Sequence, residues 1–282
     1  MPTSSALARP VTMSATVNQS PLALTRTGFG EPLVLVHPLG GARHVWDPVL
    51  GDLSADHDCI AVDMPGFGES PELPSDVAAT PAAIASTVAA TLDALQIESA
   101  HVAGISLGGW VALELGKTGR ARSVTAICAA GLWRRPLGPR RNSARHTARA
   151  LLPLLPLAVR SRRLRTLAFT GTMTNPERVT RQEALQRIRA YAKAPGFDRA
   201  NDEMRASVFE GFDEIPVPVT LAWGDHDRLV RPPSRPPEGV RTVILEGCGH
   251  VPTWDDPAQV AALIRSSTAA AAGEGDLIVG SL

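Results

Sequence analysis

Between residues 22 and 268 the chain alternates short, nearly uninterrupted apolar runs with longer stretches whose apolar positions recur at helical spacing. The runs 33–37, 59–63, 101–105, 123–128, 217–223 and 242–245 are each brief and β-branched, as strands covered on both faces of a sheet must be. Helices are expected between them. The clearest are 81–95, with Thr80 as N-cap and Pro81 in the first turn, 107–117, and 257–265, which Asp255 and Asp256 precede. Strand and helix in alternation predict an α/β fold with a mostly parallel central sheet and helices on both faces.

The alternation stops at about Leu132 and resumes at about Ile215, and the composition changes with it. From Leu132 to Ala190 there are 14 arginines against two acids, Glu177 and Glu183. A structureless loop of about 80 residues inside a compact domain would be exceptional, so 132–214 is read as an inserted helical cap on a core made of 22–131 and 215–268. The ends, 1–21 and 269–282, are rich in Ser, Thr and Pro or in Ala and Gly without periodicity, and are expected to be flexible tails.

Composition narrows the partners. Lys plus Arg and Asp plus Glu number 28 each, so no global field draws the chain to nucleic acid or to an anionic membrane. The apolar run Leu151-Leu152-Pro153-Leu154-Leu155-Pro156 is broken by its prolines, and no window reaches the ~18 uninterrupted apolar residues of a membrane span. With no basic stretch leading into an apolar run at the N-terminus, a cytoplasmic protein is expected. Cys59, Cys128 and Cys248 lie far apart and form no C-x-x-C, so they read as buried thiols; no cofactor or metal is implied.

The strongest chemical signal is Gly104-Ile105-Ser106-Leu107-Gly108, set between an expected strand and an expected helix. G-x-S-x-G in that context is a nucleophile elbow, whose glycines leave room for a turn sharp enough to expose the serine hydroxyl. A serine is a weak nucleophile at neutral pH and needs a histidine base oriented by a carboxylate. Both residue types follow, at the ends of later strands, in Gly224-Asp225-His226-Asp227 and in Gly247-Cys248-Gly249-His250.

On these residues, together with His37-Pro38-Leu39-Gly40-Gly41, Asp63-Met64-Pro65-Gly66-Phe67-Gly68-Glu69-Ser70 and Trp223-Gly224-Asp225-His226-Asp227, the chain resembles a capped serine hydrolase of the α/β-hydrolase superfamily across about 22–268. The resemblance implies Ser106 as nucleophile, His250 as general base and Asp227 as the orienting acid, since the family pattern puts the acid third after the glycine of W-G-x-x-D. Asp225 lies two residues earlier. Some relatives carry the acid after the preceding strand, but Cys128-Ala129-Ala130-Gly131 brings no carboxylate. The oxyanion donors implied are the N–H groups of Leu107 and Leu39; Pro38 stands where most relatives have glycine and has no N–H to give.

The remaining motifs are weighed against plainer roles. Asp63 is read as fixing the turn before Pro65, and His37 as supporting the oxyanion loop. Trp46 and Trp133 are candidate substrate contacts. The arginines of the cap are read as a solvated helix surface rather than a draw for anionic substrates, and the leucine run, with Phe169 and Met173, as a greasy face laid over the cleft. The expected activity is hydrolysis of a small-molecule carboxylic ester through an acyl-enzyme. The alternatives are a lactone or C–C bond hydrolase acting on acidic catabolic intermediates, and a ligand receptor with vestigial activity. An aspartate-nucleophile dehalogenase or epoxide hydrolase is disfavoured by Ser106 and by the presence of a single tyrosine, Tyr191. Nothing in the residues indicates an oligomeric state.

Overall fold

The computed structural model describes residues 22–139, 143–271 and 273. The expected flexible tail 1–21 lies outside the described residues, as do 272 and 274–282 of the tail expected over 269–282. A seven-stranded sheet runs in the order β1-β3-β2-β4-β5-β6-β7, with β1 Leu24–Thr27, β2 Glu31–Val36, β3 His57–Val62, β4 Ala100–Ile105, β5 Ala121–Ile127, β6 Val219–Gly224 and β7 Arg241–Leu245. All neighbours pair in parallel except β1, which runs antiparallel to β3 from Leu24 opposite Val62 to Thr27 opposite Cys59.

The apolar runs in the sequence become the six parallel strands, shifted by a residue or two at their ends. Strands β3, β4 and β6 are buried at every position, so their side chains are covered on both faces. Two of the strands close the sheet less tightly. β7 is largely exposed, as an outer strand is, and β1 escaped the sequence reading because LTRT is four residues long, three of them polar, and is stabilised only by its partner.

Between the strands the sequence signals act as expected at helix starts. In α2 (Pro81–Ala94) the Thr80 hydroxyl accepts from the Ala83 N–H at 3.1 Å, beside Pro81. Ahead of it α1 (Asp47–Leu53) follows a 3-10 turn, Arg43–Trp46, and after it α3 (Leu107–Lys117) packs on β4 and β5. The segment between β5 and β6 is helical: α4 Ser143–Ala150, α5 Leu155–Ala158, α6 Arg162–Phe169, α7 Arg181–Lys193 and α8 Phe197–Ala206. A capping box of Thr180 and Glu183 starts α7, and Arg199 of α8 donates to the carbonyls of Leu73, Pro74 and Val77, which pins this insert to the loop after β3.

The last described helices are α9 (Pro252–Asp255) and α10 (Pro257–Ala271), so the helix expected over 257–265 runs six residues further and takes in 269–271, which the sequence suggested as tail. Asp256, not Asp255, caps it: the Asp256 carboxylate accepts from Gln259 N–H at 2.9 Å. Because β2 is flanked by β3 on one side and β4 on the other, the loops leaving the carboxyl ends of β2 and β4 diverge, and a crevice opens between them.

Candidate active site

Ser106 stands at that crevice, on the turn between β4 and α3, with φ 57° and ψ −116°. A non-glycine residue in this region is strained, and the surroundings hold it there. Its N–H donates to Ile127 O at 2.9 Å, and its carbonyl accepts from Ala130 N–H at 3.0 Å and Trp110 N–H at 3.1 Å. The flanking glycines are obligatory for a steric reason. A Cβ on Gly104 would lie 2.0 Å from Gly108 O, and one on Gly108 would lie 2.3 Å from Val36 O. Those contacts let β2, β4 and α3 approach closely enough to form the turn.

Asp227 and His250 reach each other from the loops after β6 and β7. His250 Nδ1 lies 2.8 Å from Asp227 Oδ2, and the side chains are only 7% and 1% exposed. The other carboxylate oxygen of Asp227 accepts from the N–H groups of Leu229 at 2.7 Å and Val230 at 3.0 Å, a turn that fixes its direction. Burial works against its charge, yet the His250 hydrogen bond and charge, with those two N–H groups, hold the Asp227 carboxyl below its ordinary range. Asp225 is placed elsewhere, against the His226 ring at 2.7 Å and the Cys248 N–H at 3.2 Å.

Leu39 and Leu107 both put their N–H groups on the crevice loops, and among the described residues neither N–H has a hydrogen-bond partner. The loop that carries Leu39 is braced twice. The buried His37 ring spans Pro38 O (Nδ1, 2.8 Å) and the Met64 N–H (Nε2, 2.9 Å), so Nδ1 carries the proton; burial lowers its pKa and keeps it neutral. Asp63 accepts from Arg43 N–H at 2.6 Å and Glu69 N–H at 3.0 Å and pairs with the Arg43 guanidinium, which ties the loop after β2 to the turn after β3.

The two expected substrate contacts, Trp46 and Trp133, are both packed against other parts of the protein. Trp46 is fully buried in the hydrophobic core and has no surface for a ligand to touch. Trp133 sets its ring edge-on to Trp110, centroids 5.9 Å apart, and donates its indole N–H to Ser207 O at 2.9 Å; it clasps the entry of the insert to its exit. The leucine run also differs from expectation. Leu151 and Leu154 are more than half exposed instead of covering the cleft, while Phe169 and Met173 are buried.

Two residues beside the pair carried no signal of their own in the sequence. Cys128, directly after β5 with φ 48°, is buried with its Sγ, the Asp227 carboxylate and the His250 ring within 4.8 Å of one another. Burial first, then the Asp227 charge, pushes its thiol well above the ordinary range. A protonated thiol beside a carboxylate and imidazole already bonded to each other is poorly set up as a metal ligand. Its position on the strand adjoining β6 is the clue that sequence reading set aside for want of a carboxylate. Asp255, noted in the sequence only as preceding a helix, is buried and accepts from the N–H groups of Gly249 at 2.8 Å, Thr174 at 2.8 Å and Asn175 at 3.0 Å, joining the His250 loop to the insert.

Comparison with known proteins agrees with this arrangement at the level of the fold. A thermophilic esterase from Thermogutta terrifontis superposes with a TM-score of 0.67 at 23% identity, over 94% of this chain and 99% of that one. Epoxide hydrolase EphH of Mycobacterium tuberculosis is 36% identical over 203 residues, which are 66% of this chain and 93% of that protein. The pimeloyl-[acyl-carrier protein] methyl ester esterase of Neisseria meningitidis is 32% identical over 264 residues, covering 83% of this chain and 92% of the esterase. Residues 33–263 match the family described as alpha/beta hydrolase, which spans both halves of the sheet, the elbow and the His250 loop, and the chain belongs to that family.

Proposed function

We propose that this hydrolase cleaves a small-molecule carboxylic ester through an acyl-enzyme. Ser106 Oγ attacks the carbonyl carbon as His250 takes its proton, and Asp227 holds the imidazole in the tautomer that leaves Nε2 free to do so. The carbonyl electrons move onto oxygen, where the Leu39 and Leu107 N–H groups receive the developing charge. Collapse expels the alkoxide, which takes the proton from His250. Water then repeats the sequence on the acyl-enzyme and releases the acid. The observation that carries the reading is the buried contact of Asp227 with His250, 2.8 Å long, on the loops after β6 and β7, with a strained serine on the elbow after β4.

The epoxide hydrolase relative raises a second chemistry, and the nucleophile argues against it. Epoxide opening by a carboxylate leaves an ester that water can hydrolyse, whereas opening by Ser106 would leave an ether that it cannot. Serine attack suits carbonyl substrates, a group that includes lactones and carbamates as well as esters.

The test is turnover of p-nitrophenyl esters of increasing acyl length by wild type and by Ser106→Ala at equal folded concentration, with styrene oxide and an anionic lactone in parallel. Ester turnover lowered about 10⁴-fold or more by the substitution supports the reading. Serine-dependent turnover of the lactone alone moves the assignment to lactones. Absence of turnover on every substrate favours a ligand receptor.

A further inference from the structure

The chain carries no acidic side chain from residue 115 to 176, while ten arginines fall between 134 and 165. Inside this stretch Leu151, Leu154, Leu157, Leu164 and Leu167 are 50 to 74% exposed. Single exposed leucines are ordinary, but five within 17 residues are not. Their spacing follows the backbone. Leu151, Leu154 and Leu157 recur every third residue through the 3-10 turn Leu152–Leu154 and into α5, where positions i and i+3 nearly eclipse, while Leu155 and Val159 turn inward. Leu164 and Leu167 repeat the spacing on α6, and Phe169 is its buried residue.

The charges of the same stretch divide into two kinds. Arg145 and Arg165 are consumed by the fold, the first on Asp198 and Ala194 O, the second on the carbonyls of Val159 and Val179. Arg149, Arg160, Arg162 and Arg163 are exposed and have no carboxylate partner among the described residues. A merely solvated helix surface would turn arginine outward and leucine inward, and this one turns both outward.

We propose that this face of the insert docks on an anionic lipid surface, with the leucines entering the boundary between head groups and acyl chains and the four guanidiniums on the head-group phosphates. Charge complementarity selects this occupant. Two copies meeting through the face would bring eight guanidiniums together without one acid, and a neutral apolar partner would leave the arginines unused. No helix among the described residues is long and apolar enough to cross a membrane, so the contact is peripheral. The chain has no net charge, so no global field adds to the attraction of this face. The docking is independent of the reaction assigned to Ser106.

The experiment measures co-sedimentation of the full chain with vesicles of phosphatidylcholine alone and of phosphatidylcholine mixed with phosphatidylglycerol. Binding to the anionic vesicles is expected, weakening as salt rises, with far less binding to the neutral ones. Each arginine at such a surface contributes about fivefold to partition, so Arg160→Gln with Arg163→Gln lowers it about 25-fold. Leu157→Ser with Leu167→Ser lowers it about tenfold or more. All four positions are exposed, so both variants keep the wild-type melting temperature and turnover of a soluble short-chain ester, and Ser106→Ala binds vesicles as wild type does. Equal binding to both vesicle types, no binding to either, or partition unchanged in both variants overturns the proposal. So does a concentration-dependent dimer that the leucine variant dissociates, which would give the face to a second copy of the chain.

Discussion

The His250 imidazole is held through Nδ1 by Asp227 Oδ2 at 2.8 Å, while Asp225, only two residues away in the chain, is turned to the His226 ring. The turn at Gly224, where the Asp227 N–H donates to Gly224 O at 3.0 Å, sends the two carboxylates in different directions. Substitution separates them. Asp227→Asn is expected to lower kcat by about 10⁴-fold, because the amide favours the wrong imidazole tautomer. Asp225→Asn should stay within a few-fold of wild type, and steady-state ester kinetics of the two variants checks the assignment.

The same carboxylate sets a pH dependence of stability. Its folded pKa lies below the ordinary aspartate value of 3.8, so the unfolded chain takes up the proton first as pH falls. The stabilising contribution is therefore complete above that value and is lost as pH drops through the lower folded value. Urea unfolding of wild type and Asp227→Asn, stepped from neutral pH downward, should show a constant difference that narrows only in that acidic window.

Cys128, Cys59 and Cys248 are expected to resist alkylation in the folded protein. Burial raises all three thiols, Cys59 and Cys248 to about 12, so almost no thiolate exists at neutral pH. Intact-mass analysis after iodoacetamide should find the native chain unmodified and the denatured chain carrying three adducts, one for each cysteine.

Asp255→Ala removes the shared acceptor of Gly249, Thr174 and Asn175 and leaves buried N–H groups unpaired. A loss of about 3 kcal/mol in unfolding free energy is expected. Because Gly249 adjoins His250, kcat should fall as well, and measuring both on one preparation tests whether the insert steadies the histidine loop.

Gly108→Ala drives a methyl group against the carbonyls of Val36 and His37, at 2.3 and 2.6 Å in the present backbone. The elbow has no slack, since β2 lies directly beneath. Destabilisation of about 3 kcal/mol or more, with loss of the proposed ester turnover, is expected from thermal unfolding and ester assays.

What the residues determined by themselves was local. Apolar runs placed the six parallel strands because a strand covered on both faces has no polar alternation to blur it, and Thr80, Pro81 and the elbow glycines marked their turns because backbone sterics at those points admit few residue types. The motifs that carry Ser106, Asp227 and His250, the residues of the proposed triad, stood out for the same reason. Everything that depended on distant partners was decided by the tertiary structure. β1 exists only by pairing with β3, and the Asp255 side chain at the end of α9 serves Gly249 and the insert. Trp46 went to the core rather than to the crevice, and Cys128 came to lie beside Asp227 because β5 and β6 are neighbours in the sheet. The direction of the leucines is decided likewise, since the Leu152–Leu154 turn is 3-10 and its three-residue repeat, rather than their hydrophobicity, puts Leu151, Leu154 and Leu157 in solvent.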